Sequence, residues 1–470
     1  MSVTVLAVDL GSSSGRIVAG TLGDGRIEEV EVRRFPHQAR MADGYLAWDL
    51  DAIWSEIVAG LRDAVARFPG AVSVSVDTWG VDHVPLDAEG ARVTPGRAYR
   101  DLRAARTHDA FRARLSDDAA WSATGIAPAT INTANQLFAL LTEEPEAAAA
   151  TEQVLMLPDY FTFLLSGVRG WSRSHVSSSG LCRPGAHEFS DEVFDALGIP
   201  RRWFGDVTPE HDIVGPCLVD GLGGLTVVRA GAHDTTCAVQ ALRRDPSQES
   251  YFLSCGSWSV LGVLRDEPLL SEAARRRGLT NEACADAGLR PLFNLTGLWI
   301  LQECQRDWKA AGAVHDIVEL VRLAEESPSL GVLIDPDEPR FAETGGMVAR
   351  VAAALSAQGV DAATLTQGDI VRVVLESFAD RYARGVADLA TLTGSPPTRL
   401  NLVGGGSRNA LLCRLTADAL GVPVVAGPVE ASALGSILAQ LEILGHLARE
   451  DRDAVIEATA RRVTYLPSAS

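Results

Sequence analysis

Two stretches far apart in the chain are written on one plan. Residues 3–20, "VTVLAVDLGSSSGRIVAG", and residues 251–264, "YFLSCGSWSVLGVL", each give an apolar run of strand length, a Gly/Ser turn and a second apolar run. Setting Gly11 against Gly256 aligns Ser12 with Ser257, Ser14 with Ser259 and Val8 with Leu253. A strand–turn–strand unit that recurs at the head of each half predicts two related halves. The length of 470 residues agrees, since it exceeds one ordinary core and suits two or three domains of roughly 150–240 residues each. The polar, proline-containing segment "LRRDPSQES" (242–250) is the candidate linker, giving expected domains over 1–242 and 243–470.

The first half continues with the turn "GDG" (23–25) and then "RIEEVEVRRF" (26–35). Strands over 3–11, 16–22 and 26–35, joined by short turns, predict an antiparallel meander. Over 51–68, Ile53, Trp54, Ile57, Val58, Leu61, Val65 and Phe68 share one helical face, and "AVSVSVDTWGVD" (71–82) alternates as a strand. Meander, helix and strand in this order imply a layered α/β domain. In the second half a long helix is expected over 369–392, with its apolar stripe at 370, 371, 374, 375, 378, 382 and 386. "RLNLVGGGSRN" (399–409) follows as a buried-type strand running into three glycines.

Charge and cysteine usage exclude several function classes. The net charge is −19 and no basic stripe is visible, which argues against a nucleic-acid surface but not against a nucleotide held by local backbone donors. Lys309 is the only lysine, so a Walker-type glycine loop with its lysine cannot exist. The seven cysteines are odd in number and never spaced as C-x-x-C, which fits neither a disulfide framework nor a zinc site. Reduced thiols and a cytoplasmic location are expected. The opening "MSVTVLAVDLG" has no basic n-region, so no signal peptide is expected, and no apolar run is long enough to span a membrane.

Four loops carry chemistry-bearing residues. "VDLGSSSGR" (8–16) offers backbone N–H groups, hydroxyls and Arg16 to a phosphate, with Asp9 able to face a hydrated divalent cation; an ordinary hairpin turn has the same residues. "VGGGSRNALL" (403–412) allows close backbone approach to an adenine face, or is a tight strand-to-helix turn. "VSVDTWGVDH" (74–83) exposes Asp77, Trp79, Gly80 and Asp82 at a strand end, a set suited to a polyol or to a loop with a structural tryptophan. "VVRAGAHDTTCAVQ" (227–240) puts Asp234 among small residues where a strand gives way to a helix, with Asp234 or Thr235 a candidate cap. All of these fall at strand ends of two matching halves.

Taken in order, "DLGSSSGR", "DTWGVD", "AYRD", "LPDYF", "AHDT", "GSWS", "GLWILQE", "VGGG" and "GPVEASALG" resemble the FGGY carbohydrate kinases over nearly the whole chain, and within them the rhamnulokinase group. The resemblance implies two ribonuclease-H-like domains of the actin-like ATPase fold facing a central cleft, with ATP and Mg²⁺ in it. It puts the catalytic base on Asp234 and sugar contacts on Gly80, His233, Asp234, Thr235 and Asn294. Nucleotide and phosphate contacts fall on Ser12, Ser13, Ser14, Gly15, Arg16, Ser257, Gln302 and Gly405, and the metal-side carboxylate on Asp9. The implied partners are L-rhamnulose and ATP, in a monomer or small homo-oligomer, with domain closure over both ligands. His83 and Asn135 depart from the aromatic residues usual in the group. L-Fuculose or another ketose is the competing substrate, and a non-catalytic sugar-binding regulator the competing class.

Overall fold

The computed structural model describes residues 2–243, 249–286, 288–313 and 315–468. Of the linker expected over 242–250, residues 244–248 lie outside the described residues. The chain forms two compact units, neither of them one continuous stretch. Unit 1 takes Met1–Arg244, Arg265–Pro291 and Ala431–Thr459; unit 2 takes Asp245–Leu264, Leu292–Glu430 and Ala460–Ser470.

Unit 1 is built on strands β1 (Val3–Leu10), β2 (Ser14–Gly23) and β3 (Arg26–Pro36), which form the expected meander. Helix α1 (Leu50–Arg67) begins at Asp49, whose carboxylate accepts the Ala52 N–H at 3.0 Å, and it buries Ile53, Ile57, Leu61 and Ala64 at helical spacing. These side chains share one buried apolar cluster with Leu6, Val8 and Leu10 of β1 and Ile17 of β2. β4 (Ala71–Thr78) runs parallel to β1, followed in the sheet by β5 (Asp212–Pro216) and β6 (Thr226–Arg229), in the order β5-β6-β4-β1-β2-β3. The short helix α2 (Asp234–Gln240) follows β6. The helix Ala431–Ile443 joins this unit through polar contacts. Gln440 donates to the Leu6 carbonyl at 3.0 Å and accepts from the Ser73 hydroxyl at 2.7 Å.

Unit 2 repeats the plan. β7 (Ser250–Cys255) and β8 (Trp258–Leu264) form the second hairpin, and β9 (Leu289–Thr296) pairs with β8. Helix α3 (Trp299–Ala310) follows. The long helix α4 (Gln367–Thr393) opens on a capping box between Thr366 and Asp369 and buries Val371, Val374, Leu375, Phe378, Tyr382 and Val386. β10 (Leu400–Val403) lies parallel to β7, then β11 (Val424–Ala426) and β12 (Val463–Tyr465), in the order β9-β8-β7-β10-β11-β12, with the strand Thr280–Ala283 at the edge beyond β9. In both sheets an antiparallel meander is extended by two parallel strands and closed by one antiparallel edge strand. The repeat seen in the sequence is a repeat of topology.

Candidate active site

Asp9 is the last but one residue of β1 and is flanked across the sheet by Arg16 of β2 and Asp77 of β4. The Arg16 guanidinium donates to Asp9 Oδ2 from Nε at 3.0 Å and from Nη2 at 2.5 Å. The Ser432 hydroxyl donates to the same oxygen, and Arg16 Nη2 reaches Ser432 Oγ at 3.2 Å. Between β1 and β2 the loop 11–14 is closed by the Gly11 N–H donating to the Ser14 carbonyl at 3.1 Å. Ser12 and Ser14 are half-buried and Ser13 is exposed. Gly15 has a packing reason of its own, since a Cβ there would lie 2.4 Å from the Phe35 ring.

Asp77 is fully buried, and neither of its carboxylate oxygens has a hydrogen-bond partner among the described residues. Burial first, then the charges of Asp9 and Asp234, hold its carboxyl well above the usual range. Trp79 and Asp82 are buried as well, and the indoles of Trp48 and Trp79 both donate to Asp82 Oδ2, at 2.6 and 2.7 Å. The expectation that Asp77, Trp79 and Asp82 are exposed is therefore wrong. Only half-buried Gly80 remains open on this loop, the other three being drawn inward by the sheet and by indole–carboxylate bonds. His83 and Asn135 are likewise buried, with Asn135 spent on the Ala129 carbonyl at 3.1 Å and the His108 ring at 3.0 Å.

The strand-to-helix turn 230–233 explains the small residues around Asp234. Gly231 has φ of +153° and no room for a Cβ, which would meet Cys237 Sγ at 2.6 Å. Helix α2 starts at Asp234 with His233 as the flanking residue, and neither Asp234 nor Thr235 caps it. Instead the Thr235 backbone N–H and hydroxyl both donate to Asp234 Oδ1, at 2.5 and 3.1 Å. The side chain keeps 30 % of its surface accessible. Burial of the carboxylate, then the neighbouring Asp9 charge, pushes Asp234 up to about 7. A carboxylate poised there, with one oxygen anchored, suits general-base chemistry at neutral pH.

Beside it, His233 Nδ1 lies 2.7 Å from Arg290 Nη2, and Arg290 in turn donates to Glu282 Oε2 at 2.7 Å. Gly80 packs against the same imidazole, since a Cβ on it would lie 3.0 Å from His233 Nε2. Unit 1 thus gathers Asp9, Ser12, Ser13, Ser14, Gly15, Arg16, Gly80, His233, Asp234 and Thr235 of the expected set. Sequence reasoning missed Arg290, Glu282 and Ser432. Ser432 sits inside "GPVEASALG", so a motif pointed to its neighbourhood, whereas nothing in the sequence pointed to Arg290.

Unit 2 holds Ser257, Asn294, Gln302 and Gly405. The Ser257 hydroxyl, in the β7–β8 turn, donates to Gln302 Oε1 of α3 at 3.1 Å. Asn294 is the exposed position of an otherwise buried run of β9. In the triple glycine each residue has a different constraint. Gly404 has φ of +82°, a Cβ on Gly406 would lie 2.3 Å from Cys255 Sγ, and Gly405 faces open space.

Among the described residues no group of three or more His, Cys, Asp or Glu side chains is arranged to hold a metal alone. The orphaned carboxylate of Asp77 beside Asp9 is nevertheless a hard-oxygen set that fits Mg²⁺ held largely through water and phosphate oxygens. All seven cysteines are buried and none is in a disulfide, and no helix among the described residues is long and apolar enough to cross a membrane.

Comparison with known proteins agrees on both halves. Residues 4–240 match the FGGY family of carbohydrate kinases, N-terminal domain, and residues 251–442 the C-terminal domain of that family. A rhamnulokinase of Klebsiella pneumoniae subsp. pneumoniae is 34% identical over 466 residues, covering 98% of this chain and 94% of that protein. Among solved structures, a ligand-bound xylulose kinase from Lactobacillus acidophilus has a TM-score of 0.81 at 15% identity, covering 99% of this chain and 94% of its own. A Plasmodium falciparum glycerol kinase with ADP has a TM-score of 0.79 at 12% identity, with the same two coverages. At these identities the two structures speak for the fold alone, which is the mixed α/β fold of actin-like ATPases.

Proposed function

The chain belongs to the FGGY family of carbohydrate kinases, a sugar phosphotransferase using ATP, and we propose that its substrate is L-rhamnulose, phosphorylated at the C1 hydroxyl. The observation that carries the reading is the state of Asp234. Its Oδ1 is fixed by Thr235, so Oδ2 is left to take a proton, and burial with the Asp9 charge pushes its carboxyl up to about 7. The C1 oxygen of the ketose attacks the γ-phosphorus as its proton passes to Asp234, and the bond to ADP breaks. General-base help of this kind contributes about 10²–10⁴-fold.

The other residues position and neutralise. Gly80, His233, Thr235 and Asn294 contact the sugar. Ser12, Ser13, Ser14, Gly15 and Arg16 receive the phosphates, and Ser257, Gln302 and Gly405 receive the nucleotide. Asp9, with Asp77 next to it, would hold Mg²⁺, which supplies charge neutralisation on the phosphates when bound. Support for the sugar comes from the 34% identity to a rhamnulokinase across nearly the full length of both proteins.

The test has two parts. A coupled assay over a panel of ketoses and polyols, scored by kcat/KM, should rank L-rhamnulose first; a higher value on L-fuculose or D-xylulose replaces the substrate. Asp234→Asn should abolish transfer while sugar binding largely survives, and near-normal turnover in that variant removes Asp234 as the base.

A further inference from the structure

We propose that Arg290 is a positioning residue that fixes the tautomer of His233, so that the imidazole presents its Nε2–H as a donor to a sugar hydroxyl. The inference rests on the reading that His233 contacts the sugar, and it adds which ring nitrogen does so and what makes it a donor.

The argument is one of donors and acceptors. A guanidinium has five N–H donors and no acceptor. Arg290 is fully buried, and its Nη2 lies 2.7 Å from His233 Nδ1. A hydrogen on Nδ1 would then meet the guanidinium hydrogens head on, so Nδ1 carries the lone pair. The carboxylate that could relieve an Nδ1–H is Glu282, but its Oε2 is 3.5 Å from Nδ1 and already accepts from Arg290 at 2.7 Å. With Nδ1 accepting, the proton of the neutral ring sits on Nε2.

The other side of the ring agrees. Nε2 lies 3.5 Å from Asp234 Oδ1. A lone pair on Nε2 would face that carboxylate oxygen as acceptor against acceptor, whereas Nε2–H faces it favourably. Burial and the Arg290 charge also keep the ring from taking a second proton, holding His233 well below the ordinary imidazole value. A hydroxyl lying by Gly80 would therefore find a donor in His233 and an acceptor in Asp234, a pair that orients its O–H in one sense only. Glu282 holds Arg290 in place for this, and the Arg290 Nε bond to the Ala283 carbonyl at 3.2 Å holds it further. The three side chains form a relay ending at the sugar side of the site.

The deciding measurement needs no variant in the reacting chain. In full-length protein labelled with ¹⁵N-histidine, long-range ¹H–¹⁵N correlation at neutral pH should give a pyrrole-type shift at His233 Nε2 and a pyridine-type shift at Nδ1. The reverse pattern overturns the proposal. Arg290→Met combined with Glu282→Gln leaves no buried charge unpaired; it should mix the two patterns and raise the KM for the ketose about tenfold, the worth of one hydrogen bond, with the KM for ATP unchanged. Arg290→Lys keeps a donor and should retain the Nε2–H pattern. His233→Asn, which lacks a donor at the Nε2 position, should raise the ketose KM more than His233→Gln. If the tautomer is as stated but His233→Asn leaves that KM unmoved, the sugar contact fails and the tautomer assignment stands.

Discussion

Asp9 and Asp77 are register partners on the adjacent parallel strands β1 and β4, so two buried carboxylates stand side by side in one sheet. Arg16, the register partner on the other side, bonds to Asp9. Like charges in neighbouring strand positions oppose folding, and here the opposition is concentrated on Asp77. Its carboxyl is held above the unfolded value by burial and by the charges of Asp9 and Asp234. A carboxyl raised in the folded state loses stability as pH climbs from the unfolded value through the folded one. Asp77→Asn should therefore raise Tm over the parent protein at about pH 8, and the gain should shrink toward about pH 4. Thermal unfolding of metal-free protein at the two pH values checks this; a constant offset counts against it.

Thr235→Val should move the pH profile of kcat/KM toward alkaline pH. The Thr235 hydroxyl stabilises the ionised form of Asp234 from 3.1 Å, while the backbone N–H remains in any variant. Losing a bond worth about 1 kcal/mol corresponds to a shift of roughly one unit or less, upward from about 7. Activity should still rise with pH through the displaced midpoint, because the base must be deprotonated. Thr235→Ser should leave the midpoint in place.

Gly80→Ala should weaken the sugar without touching the nucleotide. The added Cβ would stand 3.0 Å from His233 Nε2 and 3.1 Å from Cε1. Displacing a packed ring by that amount costs about 1–3 kcal/mol. The expected readout is a ketose KM raised about tenfold or more, with the KM for ATP within error of the parent.

In the triple glycine the two neighbours should fail differently. Gly405 faces open space, so Gly405→Leu should leave Tm unchanged and raise the KM for ATP by filling the nucleotide's position. Gly406→Ala drives a methyl into Cys255 and should lower Tm. Differential scanning calorimetry and ATP titration on both variants separate them; equal Tm losses would contradict the assignment of Gly405.

Much of this was legible because it is local. The meander, α1 and α4 follow from apolar spacing and turn residues within short windows, and the two hairpin loops repeat the same letters. Asp234 stood out as a carboxylate among residues too small to cover it. Trp79 and Asp82 were misjudged because an indole can face a ligand or satisfy a buried carboxylate with the same residue type, and only the arrival of Trp48 decides. Arg290 was illegible, and Ser432 legible only through the motif around it, for another reason. They enter unit 1 from segments that lie after residue 264, so no window around β1 or α2 contains them.

The bond from Ser432 to Asp9 spans 423 residues of chain. At roughly 5–20 residues per second, a ribosome emits Ser432 some 20 to 90 s after Asp9. Throughout that interval the strand carrying Asp9 waits without the helix that covers it, and the acidic cluster has no finished surroundings. Any chain interrupted before this point in synthesis lacks the contact, so the surroundings of Asp9 are completed only once most of unit 2 has been made.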